Sequence, residues 1–210
     1  MGISLPPSLI VDRVEEVIRR LHGTNYEDHL ELYLSKSESI ENPCAWSKSH
    51  RLIADWLSTG STPKLFISGG PGTGKSVLTA HIINTTKEVA GHREVLLYYF
   101  CGADPTVDQY THGGREASSK AIVLAFMRQI VSAYHQVHHS MTGLDSYNMA
   151  SLGEVVDDVM TSRRDMFSEL KLRGQIANLL KSFDTVRCIY CLPLYCLLLL
   201  TLSLKDHYRP

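Results

Sequence analysis

Lys64-Leu65-Phe66-Ile67-Ser68, followed without interruption by Gly69-Gly70-Pro71-Gly72-Thr73-Gly74-Lys75-Ser76, is the stretch on which the reading of this chain turns. The last eight residues fit G-x-x-x-x-G-K-[ST], and the five before them read as the buried strand that this motif requires. The pattern is that of a phosphate-binding P-loop. Its glycines let successive backbone N–H groups point at a phosphate, Lys75 places a cation between terminal phosphates, and the Ser76 hydroxyl can ligate Mg²⁺. Thr79, Ala80, Ile82 and Ile83 continue as a helix that starts near Gly74, so the positive helix end adds to the same anion site. With Gly at ~7% of average usage, a chance match in a chain of this size is on the order of 1%. Since strand, glycine loop and helix also come in the required order, the stretch reads as a nucleotide site and not as a turn with an incidental lysine. The residues assigned to the nucleotide are Gly69, Gly70, Pro71, Gly72, Thr73, Gly74, Lys75, Ser76 and Val77, with Lys75 as the catalytic cation and Ser76 as the metal ligand.

Working outward, 210 residues suffice for one substantial core, or one domain with an appendage. Apolar content of 44%, charged content of 20% and a net charge of -1 describe an ordinary globular chain. No basic excess points to nucleic acid or to an anionic membrane surface. Five cysteines, an odd number, follow an N-terminus without the basic and apolar regions of a signal peptide, so the expected compartment is the reducing cytoplasm. Pro6 stands where N-myristoylation of Gly2 would want Ser or Thr.

Val14, Val17, Ile18 and Leu21 recur at helical spacing between charged residues, with Gly23 as a natural stop, so residues 1–25 form an amphipathic helical segment. Residues 26–63 are a lead-in. Its first part, through residue 47, is polar and reads as irregular, with Asn42-Pro43 as a turn, and Ser47 to Leu57 reads as one helix. Val95 to Cys101 is an almost continuous apolar run, as in a strand covered on both faces, and completes a β-α-β unit. Glu116 to Tyr134 is helical, with Ile122, Phe126, Ile130 and Tyr134 on one stripe. A further helical region, broken at Gly153 and Gly174, leads to a third strand beginning at Val186.

Pro43-Cys44-Ala45-Trp46, Ala54-Asp55-Trp56-Leu57, Leu65 to Leu78, Tyr98-Tyr99-Phe100-Cys101 and the helix around Ile122 to Ile130 together resemble the fungal NACHT-type signalling NTPases, including proteins with a nephrocystin-like N-terminal domain. The likeness spans about residues 26 to 190, and the P-loop is its one highly specific part. It implies a three-layer α/β P-loop NTPase fold with a parallel sheet, here partial over 64–190 and incomplete at its C-terminal side. It also implies binding of ATP, with GTP as the alternative, together with Mg²⁺, in a switch of the STAND type that works through protein partners or self-association. The family's next strand should run into a Walker B segment ending in Asp-x-x-Asp-Glu. In this chain Val186 to Cys191 continues into Leu192-Pro193-Leu194-Tyr195-Cys196, with no acidic residue before Asp206. Walker B carboxylates hold Mg²⁺ through its water shell, so nucleotide binding is the firmer expectation and the ATP hydrolysis that the resemblance implies is left open. Asp104, Asp157 and Asp158 are the other carboxylates that follow apolar runs, and none suits the role.

The tail 191–210 has three readings. Cys188 to Leu204 carries no charge and lies between Arg187 and Lys205, at the lower limit of a membrane-spanning helix. The alternatives are a buried strand followed by a core helix, or a reading frame that departs from the domain after about Val186. Cys188-x-x-Cys191 offers a redox pair or half a zinc site without a second half, and incidental cysteines in an apolar run are the plainer reading. His135, His138 and His139 read as a solvated helix end, and Arg115 as a surface residue that could otherwise sense a γ-phosphate.

Overall fold

In a computed structural model, which describes residues 7–21, 26–38, 40–59, 64–91, 94–101, 119–140, 146–161, 168–191 and 196–203, eight helices and four strands follow one another. The N-terminal helix α1 is Pro7–Arg20, and α2 (Tyr26–Ser35), α3 (Ala45–Ser49) and α4 (Arg51–Thr59) lead to β1 (Lys64–Ser68). Beyond the glycine loop come α5 (Lys75–Val89), β2 (Glu94–Phe100), α6 (Ser119–Ser140), α7 (Ser146–Thr161), α8 (Glu169–Leu180), β3 (Thr185–Cys191) and β4 (Cys196–Ser203). These elements fall into two compact units. One comprises Met1–Thr24 with Ser119–Phe183, the other Asn25–Ser118 with Asp184–Pro210.

The first unit is helical. Val14, Val17 and Leu21 of the α1 stripe are buried, as are Phe126, Met127, Ile130 and Tyr134 of α6 and Val155 and Val159 of α7. Arg20 donates to the Met160 carbonyl at 3.0 Å, placing a cation on the last turn of α7 where the helix dipole favours one. The Tyr134 hydroxyl donates to the Leu179 carbonyl at 2.9 Å, and its ring meets Phe183 edge-on at 5.2 Å. Gly153 and Gly174 do not end helices. Each lies inside one, α7 and α8, because a single glycine costs a helix only about 1 kcal/mol and burial on the other positions outweighs it. His135 likewise is not a helix end: α6 runs on to Ser140, and His135 Nε2 lies 4.0 Å from the Glu15 carboxylate of α1.

The second unit holds a four-stranded sheet in the order β1-β4-β3-β2. β2 and β3 are parallel, with Phe100 opposite Cys191, whereas β4 is antiparallel to both β3 and β1. The expected all-parallel sheet is therefore a mixed one. The reason is the length of the β3–β4 connection, residues 192–195: a parallel return needs a crossover of a dozen or more residues, while four permit only an antiparallel neighbour. β1 still runs in the same direction as β2 and β3, with β4 between. The tail is neither a membrane helix nor a core helix over 196–203, since its backbone pairs as strand on both sides. Among the described residues, no helix is long and apolar enough to cross a membrane.

The stretch expected to be irregular contains α2. Tyr26, His29, Leu30 and Tyr33 are buried at i, i+3, i+4 and i+7, and the outer face carries Glu27, Asp28 and Glu31. Tyr26 packs edge-on against Tyr98 at 5.3 Å, and Tyr33 lies 5.0 Å from Phe100, so the aromatic half of β2 is what folds this helix. The helix expected over Ser47 to Leu57 is two, because His50 takes an extended conformation (φ -72°, ψ 116°) between α3 and α4. Trp56 of α4 is fully buried. Arg187 of β3 lies over its ring at 5.5 Å and 3.9 Å from the Glu94 carboxylate. Far from flanking a membrane span, Arg187 is a buried charge held by an aromatic face and a neighbouring strand.

Trp56→Ala should destabilise the fold by about 3–5 kcal/mol, through both the cavity and the uncovering of Arg187, as read from urea unfolding. A second expectation concerns pH. His81 of α5 meets the Ser37 hydroxyl at 2.8 Å, and burial, with the charge of Lys48 second, lowers its pKa below the ordinary 6.5. The native state thus binds fewer protons here than the unfolded chain, so the contribution is complete above pH 6.5 and is lost as pH falls through the lowered value. Unfolding midpoints taken from neutral to mildly acidic pH should therefore fall more steeply for the parent than for His81→Gln.

Candidate functional site

The turn between β1 and α5 is built by glycines at two left-handed positions, Gly72 (φ 75°) and Gly74 (φ 81°), conformations that cost any other residue about 1–2 kcal/mol. Gly69 is constrained for a different reason. A Cβ there would sit 2.8 Å from Thr73 Oγ1, the atom that braces the turn by donating to the Gly70 carbonyl at 2.8 Å. Pro71 and Thr73 are exposed on the outside of the turn, and Val77 is half-buried in the first turn of α5. Gly74 is the N-cap of α5 and offers no side chain to it, so the first-turn N–H groups of Lys75, Ser76 and Val77 stand without an intrahelical acceptor. The helix proper begins with the bond from Leu78 N to Gly74 O at 2.9 Å.

Lys75 is buried, and its ammonium donates to the carbonyls of Gly69 at 2.8 Å and Gly70 at 2.6 Å. Among the described residues its partners are these neutral oxygens and no carboxylate. Thr79 donates to the Lys75 carbonyl at 2.7 Å, which fixes the backbone from the helix side. The result is a cation, three directed N–H groups and a positive helix end within one short turn, a constellation suited to an anion with several oxygens.

The register places this turn at one edge of the sheet. Ser68 lies opposite Cys196, Leu197 opposite Cys191, and Cys191 opposite Phe100, so the C-terminal ends of β1, β3 and β2 align there. Cys101 continues the ladder by donating from its backbone N to the Cys191 carbonyl at 2.7 Å. Cys191, buried at the end of β3, brings its Sγ to 3.6 Å from Ser76 Oγ. The pairing of Cys191 with Ser76 is not evident from the sequence, although Cys191 ends the apolar run after which the family pattern places an acidic residue. The surroundings do not fit Mg²⁺, a hard cation that takes oxygen ligands, because the described neighbour of the Ser76 hydroxyl is a thiol. Among the described residues no group of three or more His, Cys, Asp or Glu side chains could hold a metal ion.

The other candidates disperse. Asp157 and Asp158 lie on α7, where the first is 4.0 Å from Arg13 and the second pairs with Lys171 and accepts from Gln175 at 3.1 Å. Asp104, Arg115 and Asp206 fall outside the described residues, as do the side chains of His138 and His139. Cys188 and Cys191 are no redox pair. Three residues apart on one strand, they point to opposite faces with Cα atoms about 10 Å apart, beyond the limit of about 7 Å for a disulfide. Burial pushes the Cys188 thiol up to about 12, and burial together with the neighbouring Cys191 pushes Cys101 up to about 11. Both should therefore stay protonated and unmodified by iodoacetamide at about pH 8 in the folded chain, and react on unfolding, as read by peptide mapping.

Comparison with curated proteins and with solved structures returns no match. A family model described as "Nephrocystin 3, N-terminal" matches residues 42–182, a span that takes in β1, the glycine loop, α5, β2 and all three helices from α6 to α8. On that match over most of its length, the chain belongs to the nephrocystin 3 N-terminal family.

Proposed function

We propose that the chain binds a nucleoside triphosphate, ATP with GTP as the alternative, at Gly69 to Val77, as the nucleotide-binding module of a NACHT/STAND-type signalling protein. The observation that carries this reading is Lys75: a buried ammonium held by two loop carbonyls, at the start of a helix whose first-turn N–H groups lack an intrahelical acceptor. A buried cation that has no anionic partner among the described residues is costly unless an anion completes it. Polyphosphate does so, and the ammonium then exchanges the Gly69 and Gly70 carbonyls for phosphate oxygens while the N–H groups of the loop and first turn take the remainder. Gly72 and Gly74 keep side chains out of the cradle.

The chain's own residues thus account for binding and orientation of the phosphates. They do not account for activating a water, which needs a carboxylate or comparable group that the described site lacks beside Ser76. A switch read by protein partners or by a second copy of the chain, with nucleotide bound and not turned over, is the form of the activity that these residues support. The second reading, a regulatory fragment without turnover, is favoured by the same thiol.

Lys75→Ala should weaken ATP binding by about 1.5–3 kcal/mol, tenfold or more, without lowering thermal stability below that of the parent. Calorimetric titration of both proteins measures it, and equal affinity for parent and variant would reject the site.

A further inference from the structure

We infer that this site binds nucleotide phosphates without a divalent cation, because Cys191 holds the place beside Ser76 that a metal-ordering carboxylate would have to take. The inference rests on the nucleotide reading given above and concerns how the same site balances charge.

Three observations converge on it. The hydroxyl that would contribute to a Mg²⁺ shell, Ser76 Oγ, has the Cys191 sulfur at 3.6 Å. Cys191 is itself 3% exposed and pinned by the ladder on both sides, to Phe100 and to Leu197, so β3 does not turn to offer another side chain. The next four residues, Leu192-Pro193-Leu194-Tyr195, carry no acid, so a slip of the strand end would not supply a carboxylate either. Mg²⁺ requires near-octahedral oxygen coordination and retains several waters, and a soft sulfur neither ligates it well nor orders that water shell. Compensation of the phosphate charge then falls to Lys75 and the N-terminal end of α5, groups that are present whether or not metal is.

The test uses the full chain and ATP itself, titrated calorimetrically in excess Mg²⁺ and again in excess EDTA. Affinities within about threefold of each other are expected. Binding that is about tenfold or more tighter in Mg²⁺ would overturn the inference while leaving the nucleotide site standing. An absence of ATP binding in both buffers would instead overturn the nucleotide reading and this inference with it. Cys191→Asp places a carboxylate at the same spot and should make binding metal-strengthened by about tenfold. A folded Cys191→Asp protein that is as indifferent to Mg²⁺ as its parent would show that position 191 does not govern the metal. Should that variant not fold, the parent's two titrations decide the matter alone.

Discussion

The second unit depends on the pairing of β3, whose backbone must be met by partners on both sides. β2 supplies one in parallel and β4 the other in antiparallel sense, and the strand's near-continuous burial leaves water no part in satisfying its N–H and C=O groups. The rest of the sheet follows from this. β4 bonds to both β3 and β1, and β1 thereby runs in the same direction as β2 and β3 without pairing with either. The glycine loop inherits its position from that alignment, since it leaves the C-terminal end of β1 at the edge where the other two strands also end.

Two buried cations show how differently this unit treats charge. Arg187 lies against the Trp56 ring, 3.9 Å from the Glu94 carboxylate, while its Nε and Nη1 have no hydrogen-bond partner among the described residues. Lys75 has only carbonyl oxygens among its described partners. A guanidinium spreads its charge and stacks on an aromatic face, whereas an ammonium is a compact charge that seeks a compact anion.

Much of this was legible in the residues. β1, the glycine loop, α5, β2 and β3 stand within a residue or so of where apolar runs and the loop motif placed them, because each signal is local: a strand covered on both faces reads as an unbroken apolar run, and a left-handed turn reads as glycine. α2 was legible in principle. Its Tyr26, His29, Leu30 and Tyr33 follow the helical template, but Glu27, Asp28 and Glu31 on the outer face masked it, and the aromatic surface of β2 that stabilises it lies about seventy residues away along the chain.

The sequence by itself determined that a glycine-rich loop lies between a strand and a helix, with Lys75 directly after its last glycine and no acidic residue between the third strand and Asp206. Only the tertiary structure decided that the sheet is mixed, that Arg187 is buried, and that Cys191 is the group facing Ser76. Those outcomes depend on which strands become neighbours and in what register. Such choices are governed by connection length and by hydrogen bonding between segments remote in the chain, and no local pattern of residues encodes them.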